Sequence, residues 1–444
     1  MEILIIGGIA AGMSVAAKAL RTNKDANVTL VEMEDYISFG ACGLPYYVGK
    51  QFTDEKKLYA RTPDQMKKAG LNLLLKHQAK SVDFTNKTVE LLNLENNKTI
   101  SQKYDRLMIA TGASAIMPPI DGIKADNVYT ITKPYIVNKL MDNLDNYEDI
   151  VVVGGGFIGV EISEQLALLN KKVNLIQSSD TIMNGPFDSE FSEKIKMALE
   201  DVNVIVNTGE RAQSFVVKDH LVTEVKTKES TYFADAVIVA IGFKPNTEFL
   251  EGQLKTLDNG AIIIDKFGQT SIKDVFAAGD CATVPHRLAG DQYIPLATYA
   301  NKYGRLIGTN IVSDKKDWLA FNGALGTSAI KAGHYEAVAT GLTEKEAIKL
   351  GYNIKTTLIE TNNHANYYPD QEKIMIKLVY DAESFVLYGA QMFGKNETVL
   401  RATGLTTAIH AGLTTQEIGF IDYAYSPPFA STWEAINVAA NTAK

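Results

Sequence analysis

Apolar and polar positions fall into the same order twice along this chain. Ile3-Leu4-Ile5-Ile6 is a short apolar run that enters Gly7-Gly8-Ile9-Ala10-Ala11-Gly12. Residues 13–21 then carry a helical spacing, and Val28-Thr29-Leu30-Val31 forms a second strand ending at Glu32. The order returns at Ile150. Ile150 to Val153 enters Gly154-Gly155-Gly156-Phe157-Ile158-Gly159, residues 160–169 read as a helix, and Val173-Asn174-Leu175-Ile176 follows. Each unit runs on into alternating β patterns with a hairpin break, residues 81–92 around Thr85-Asn86-Lys87 and residues 212–227 around Lys218-Asp219. Each closes on an apolar strand and a glycine turn, Leu107-Met108-Ile109-Ala110-Thr111-Gly112 and Val237-Ile238-Val239-Ala240-Ile241-Gly242. A tandem β-glycine loop-α-β unit, each copy with a β-meander before its last strand, predicts two nucleotide sites.

Beyond the second unit, Val275-Phe276-Ala277-Ala278-Gly279-Asp280 is another strand ending in a glycine and an acid, and a helical stretch covers 296–312. Its natural place is as a late strand of the first domain, with the second domain inserted between. From Phe321 the pattern changes to strands, a capped helix and more strands. Thr343-Glu344-Lys345-Glu346 is a capping box and Gly351 ends its helix. This last segment has no nucleotide loop, so packing or dimerisation is its expected role. The fold class is therefore α/β: two tandem Rossmann-like nucleotide-binding domains with β-meander insertions, plus a C-terminal α+β dimerisation domain. The expected boundaries are 1–112 and 246–320 for the two parts of the first domain, 113–245 for the second and 321–444 for the third.

Composition narrows the class. At roughly 150 residues per domain, 444 residues suit three domains, and 46% hydrophobic with 22% charged residues is globular. Lys+Arg less Asp+Glu is 44 − 52 = −8, which argues against nucleic acid or an anionic membrane as partner. No apolar run approaches the roughly 18 residues of a membrane span, and Met1 runs straight into a strand, so a cytoplasmic, reducing setting is expected. The chain has only two cysteines, Cys42 and Cys281, which excludes a disulfide framework and a Cys-rich metal site; no metal is expected.

The candidate chemistry lies in the loops and the sulfur. Gly7 and Gly12 allow close approach to a pyrophosphate, although Ile9 replaces the middle glycine, and Glu32 stands where it would accept from ribose hydroxyls. Gly154, Gly156 and Gly159 match the fingerprint fully. Gln177, followed by Ser178, Ser179 and Asp180, is neither the acid that favours NAD nor the arginine that favours NADP, so NADH and NADPH both remain open. Cys42 lies in Ser38-Phe39-Gly40-Ala41-Cys42-Gly43-Leu44-Pro45-Tyr46-Tyr47, beyond the carboxyl end of a strand. Tyr47 stands five residues after Cys42, so no C-x₄-C pair exists. A lone redox sulfur has two useful oxidised forms, a mixed disulfide with a small thiol or a sulfenic acid. Cys281 reads as packing.

The order of these motifs, with Gly389-Ala390-Gln391 near the end, resembles the pyridine nucleotide-disulfide oxidoreductases over essentially the whole chain. Within that family it is similar to the single-cysteine branch of coenzyme A disulfide reductases, NADH oxidases and NADH peroxidases. The resemblance implies FAD at Gly7, Gly12, Glu32, Thr111, Gly112, Asp280 and Ala297. It implies NADH or NADPH at Gly154, Gly156, Phe157, Gly159, Gln177 and Gly242, with Phe157 shielding the flavin face. It also implies a homodimer in which each C-terminal domain completes the partner's active site.

Four places resemble the coenzyme A disulfide reductases: the Ser-Phe-x-x-Cys-Gly-Leu-Pro-Tyr stretch; Ala10, where oxidases and peroxidases carry a histidine; Tyr367; and Tyr425. The two tyrosines match the pair that lines the disulfide pocket, with interface packing as their plainer alternative. No histidine follows His410, so a phenol takes the place of imidazole. Ala41 departs from the asparagine of some such enzymes. Coenzyme A phosphates need polar and basic groups near Cys42, for which Lys18, Arg21, Ser38 and Arg61 are the candidates; a solvated charged surface is the alternative. The expected activity is FAD-dependent reduction of coenzyme A disulfide, or a related small disulfide, by NAD(P)H through a Cys42 to coenzyme A mixed disulfide, with Cys42, Tyr425 and Tyr367 catalytic. The alternatives are an NADH oxidase or peroxidase cycling through a sulfenic acid, a persulfide or polysulfide reductase, and a flavoprotein sensor of NAD(P)H without turnover. An attached rhodanese domain is not expected, because the chain ends soon after Tyr425.

Overall fold

The computed structural model describes every residue except Glu251. The chain forms two units: Met1–Gly43, Phe52–Ile116 and Phe243–Ala324 make the first, and Leu44–Gln51, Met117–Gly242 and Leu325–Lys444 the second.

In the first unit five parallel strands stand in the order Val275–Ala277, Arg106–Ile109, Glu2–Ile6, Asn27–Val31, Asn72–Leu74. The late strand pairs with Arg106–Ile109, so this sheet is completed only after the second glycine loop and its domain have been passed in the chain. Its strands are near-continuous apolar runs, and helix Ala10–Thr22 and the meander residues Val82, Val89 and Leu91 share one core with them. Ile3, Leu4, Ile5, Val28, Leu30, Leu107, Met108 and Phe276 are all buried. Helix Ala10–Thr22 packs on helix Ala297–Asn310. Gly304 and Gly308 permit the approach: a Cβ at Gly304 would lie 2.6 Å from Ser14 Cβ and 2.7 Å from the Ala11 carbonyl oxygen. The meander His77–Asp83, Thr88–Asn93, Thr99–Lys103 is antiparallel.

The second unit repeats the plan in the order Val204–Thr208, Lys172–Gln177, Asp149–Val153, Ala236–Val239, Val128–Tyr129, with the meander Ser214–Lys218, Leu221–Lys226, Thr231–Phe233. Its other layer is an antiparallel sheet in the order Ser328–Ala332, Tyr335–Gly341, Leu387–Gly394, Lys373–Asp381, Ile354–Asn362. The Thr343 capping box forms, with Thr343 Oγ1 accepting from the Glu346 amide at 3.1 Å. Leu44–Gln51, which the sequence division assigns to the first domain, packs with the second unit.

Sequence periodicity gives no sign of the ionic centre of this second unit. Lys377, 4% exposed at its side chain, lies 3.1 Å from Asp188 and 2.6 Å from Glu344, and it also bonds Glu190. Gln391 completes the group, donating to Asp188 at 2.6 Å and accepting from the Asp188 amide at 2.8 Å. Burial alone would lower the Lys377 ammonium's pKa, but the three carboxylates outweigh it and hold it well above the usual lysine range. The three acids would suit a cation, and the ammonium already stands among them.

Lys377→Met leaves three carboxylates without a counter-charge and should cost on the order of 3–5 kcal/mol by denaturant unfolding. The deficit should shrink as pH falls, because protonation removes the charges that the variant leaves uncompensated. A pH-independent deficit would point to packing alone.

Candidate functional site

The two glycine loops share one geometry. Gly7 has φ +105° and Gly154 φ +112°; a Cβ would fall 2.0 Å from the Ala110 carbonyl oxygen at the first and 2.4 Å from that of Ala240 at the second. Gly12 and Gly159 are equally closed, each 1.8 Å from the carbonyl oxygen of Gly7 or Gly154 in the same construction. Ile9 and Gly156 precede their helices as N-caps, and no side chain caps either helix start. The amides there are left for an anion, with the helix dipole reinforcing them.

The residues at the strand ends also serve the loops. Glu32, 6% exposed, accepts from the Gly8 amide at 2.6 Å and the Glu34 amide at 2.9 Å. Gln177 Oε1 accepts from the Gly155 amide at 2.8 Å while its Nε2 donates to Ser179 Oγ. The sequence reading gives Glu32 and Gln177 to ribose alone; the structure adds that each holds its loop in shape.

Around the first loop, Thr111 Oγ1 donates to the Asn246 carbonyl at 2.7 Å, and Gly112, φ +66°, has open space where a Cβ would point. Asp280 follows the late strand; burial pushes its carboxyl up, and no described residue donates to that carboxylate. Ala297 opens its helix at the surface. A Cβ-free cradle, an uncapped helix start and an unpartnered, largely buried carboxyl suit the FAD that the sequence implies for this unit. In the second unit Phe157 begins the helix after the loop, and Gly242, the last residue before the chain returns to the first unit, has φ +114°. Cys281 is fully buried, its thiol 3.5 Å from the carbonyl oxygens of Ile109 and Ala278, and burial raises its pKa, as expected of an unreactive packing thiol.

Cys42 lies in a short turn, Ala41–Gly43, and is exposed. Neither cysteine is in a disulfide. The chain reaches the turn through Ser38, φ +53°, whose amide donates to the Gly8 carbonyl at 2.9 Å, so the sulfur segment is pinned to the first glycine loop. Beyond it, the Gly40 amide donates to the Leu58 carbonyl at 2.7 Å, and a Cβ on Gly43 would strike Leu58 Cδ2 at 2.4 Å. Lys18 is half-buried beside Gly308, whereas Arg21 and Arg61 are exposed.

Tyr367 and Tyr425, 71% and 49% exposed, meet in the second unit with their hydroxyls 3.4 Å apart. That bond holds the Tyr367 phenol above its ordinary range. Arg401, absent from the sequence reading, joins the two loops that carry them. Its Nη2 donates to the Asn363 carbonyl at 2.9 Å and the Phe429 carbonyl at 2.7 Å, and its Nε lies 2.6 Å from Glu434. A single arginine between helical residues carries no pattern that would have marked it. Leu400, Phe420, Phe429 and Trp433 are more than half exposed in the same C-terminal segment.

Residues 1–304 match the family described as pyridine nucleotide-disulphide oxidoreductase, and residues 327–436 match the dimerisation domain of that family. The chain is 33% identical over 445 residues to an NADH oxidase of Enterococcus faecalis, covering 100% of this chain and 99% of that protein. It is 34% identical over 452 residues to an NAD(P)H coenzyme A polysulfide/persulfide reductase of Pyrococcus horikoshii, covering 100% and 98%. The solved NAD-dependent persulfide reductase from A. fulgidus superimposes with a TM-score of 0.95 at 33% identity, over 99% of this chain and 82% of that one.

Arg401→Met removes both carbonyl bonds. Hydrogen exchange in residues 363–369 and 425–430 should rise at least about tenfold, since a bond to a charged group is worth about 1.5–3 kcal/mol. Strand Lys373–Asp381 should stay protected; equal loss there would mean global destabilisation and no specific hold on the loops.

Proposed function

The chain belongs to the pyridine nucleotide-disulphide oxidoreductases, and from that membership we propose that it spends NAD(P)H on a coenzyme A disulfide, or a related low-molecular-weight disulfide, through a mixed disulfide on Cys42. The observation that carries this reading is the Tyr367–Tyr425 hydroxyl pair, offered by a dimerisation domain in a protein whose exposed cysteine has no second cysteine to close on. In the homodimer the two phenols of one subunit serve Cys42 of the other, and Leu400, Phe420, Phe429 and Trp433 provide apolar surface for that contact.

The Cys42 thiolate attacks one sulfur of the substrate disulfide. A new S–S bond forms to Cys42 and the other thiolate leaves. Tyr425, with Tyr367 beside it, donates a proton to that leaving sulfur. Two electrons and a proton then break the Cys42 mixed disulfide, releasing the second thiol and restoring the thiolate. Bound FAD, held by the Gly7 loop, Glu32 and Asp280, would relay those electrons from the nicotinamide. By the family resemblance Phe157 would be the residue that shields a bound flavin before the nicotinamide binds. Gln177 sets no charge against a 2′-phosphate and offers no acid to a 2′-hydroxyl, so both forms of the coenzyme are admissible. Lys18, Arg21, Ser38 and Arg61 are the groups we assign to the phosphates of coenzyme A. A persulfide or polysulfide would use the same sulfur and the same phenols. The sulfenic acid cycle of an NADH oxidase or peroxidase has less support, since Ala10 stands where the resemblance implies a histidine.

Intact mass of the purified protein should fall by one coenzyme A on dithiothreitol treatment, and Cys42→Ser should show no such change. A protein heavier by one oxygen instead would favour the sulfenic acid. Tyr425→Phe should slow disulfide reduction on the order of 10²-fold while leaving flavin reduction by NAD(P)H unchanged; equal slowing of both steps would sink its assigned role.

A further inference from the structure

The segment between strand Lys172–Gln177 and helix Ser189–Glu200 folds back onto the second glycine loop. Ser179 Oγ donates to the Thr181 carbonyl at 2.9 Å, the Met183 amide donates to the Gly155 carbonyl at 2.8 Å, and a Cβ on Gly155 would strike Ile182 Cγ2 at 2.7 Å. Ile182, Met183 and Phe187 are buried, and the Phe187 amide donates to the Met183 carbonyl at 3.2 Å. Between these anchors Asn184 and Gly185 stand exposed. Among the described residues nothing bonds the Asn184 carboxamide or accepts from the Gly185 amide, and a Cβ on Gly185 would meet open space.

An asparagine followed by glycine is labile where both groups are free, because glycine lets its nitrogen approach the side chain. The Gly185 nitrogen attacks Asn184 Cγ, a C–N bond forms, and ammonia leaves with the side-chain nitrogen. Water then opens the cyclic imide at either carbonyl, to aspartate or to isoaspartate, in which the main chain runs through the β-carboxyl. No electrons are transferred, and one carboxylate appears. The chain has two other such pairs, and the fold restrains both. Asn259 Oδ1 accepts from the Ala261 amide at 3.0 Å, while the Gly260 amide donates to the Leu257 carbonyl at 2.9 Å. The Asn322 carbonyl accepts from Arg287 Nη1 at 3.3 Å, and a Cβ on Gly323 would lie 2.6 Å from Arg287 Cγ and 3.2 Å from its backbone nitrogen.

We propose that Asn184–Gly185 is a spontaneous deamidation site at the rim of the second glycine loop, and that the carboxylate it yields makes the second nucleotide site disfavour NADPH. The Gly209 amide donates to the Ser179 carbonyl and the Glu210 amide to the Gln177 carbonyl, each at 2.9 Å, so the edge that carries Gln177 also gathers Asp180, Glu210 and Arg211. With Asn184 intact that edge has a net charge of −1, and after conversion −2. A 2′-phosphate meets the added charge; a 2′-hydroxyl does not. The isoaspartate form also lengthens the chain between the Met183 and Phe187 anchors. The coenzyme effect rests on the NAD(P)H reading of this loop, whereas the conversion itself needs no nucleotide.

The FAD-loaded protein, incubated in mildly alkaline buffer, is read by peptide mass. The peptide holding Asn184 should gain the mass of an amide-to-acid exchange and become a substrate for protein isoaspartyl methyltransferase, while those holding Asn259 and Asn322 keep their amides. Gly185→Ala, which the open space accepts, should lose the conversion over the same interval. Asn184→Asp should raise the KM for NADPH about three- to tenfold at low ionic strength, with the KM for NADH moving less and the difference shrinking in salt. An equal change for both coenzymes, or a difference that salt leaves untouched, would overturn the coenzyme effect. Conversion of Asn259 or Asn322 ahead of Asn184 would overturn the site. Because the mass readout involves no nucleotide, its failure is distinguishable from failure of the NAD(P)H reading.

Discussion

Both nucleotide loops depend on the absence of four β-carbons. A side chain at Gly7 or Gly154 would run into the carbonyl of Ala110 or Ala240, and one at Gly12 or Gly159 into the loop's own first carbonyl. Because nothing fills those spaces, the first strand of each unit can turn directly into its helix against the end of the neighbouring strand. The last strand then delivers its own turn, Thr111-Gly112 or Ile241-Gly242, to the same edge. In the first unit the consequence reaches further: Ser38 donates to Gly8, so the cysteine turn takes its position from the same loop. Strand order, nucleotide cradle and sulfur all follow from one close crossing of backbone on backbone.

What the sequence showed of this plan was what repeats or has a local period. The two β-glycine loop-α-β units, the meanders, the late strand at Val275 and the Thr343 cap were legible because each is written in neighbouring residues. Tyr367 and Tyr425 came from a resemblance; their contact is long-range and the spacing could not have supplied it. Arg401, Lys377 and the Tyr46–Glu161 bond were invisible for the same physical reason. A charged residue is read from sequence as a solvated surface group, and only the fold decides which few are taken out of water and what faces them. Leu44–Gln51 follows Cys42 in the chain, yet its buried Leu44, Pro45 and Val48 pack with the second unit, a long-range contact that continuity of sequence does not show.

The electrostatics are arranged by contrast. Glu32 and Gln177 do the same work, each accepting from the second amide of its loop, yet one carries a charge and the other does not. Glu161 and Glu164 are three residues apart on one helix, and a phenol against one and an ammonium against the other separates their behaviour. Tyrosine hydroxyls recur at polar contacts: Tyr46 donates to Glu161, and Tyr367 faces Tyr425 in the C-terminal domain.

Lys377 joins what are two separate stretches of the sequence. Asp188 and Glu190 come from the nucleotide-binding stretch, while Lys377, Glu344 and Gln391 come from the C-terminal sheet and its helix. The modules look interchangeable in a family built from repeated parts, but this group makes them heritable only as a set. A hybrid that takes its second nucleotide domain from one relative and its dimerisation domain from another inherits half of a charge cluster. Recombination across residue 320 is therefore constrained by four charged side chains that lie on both sides of it.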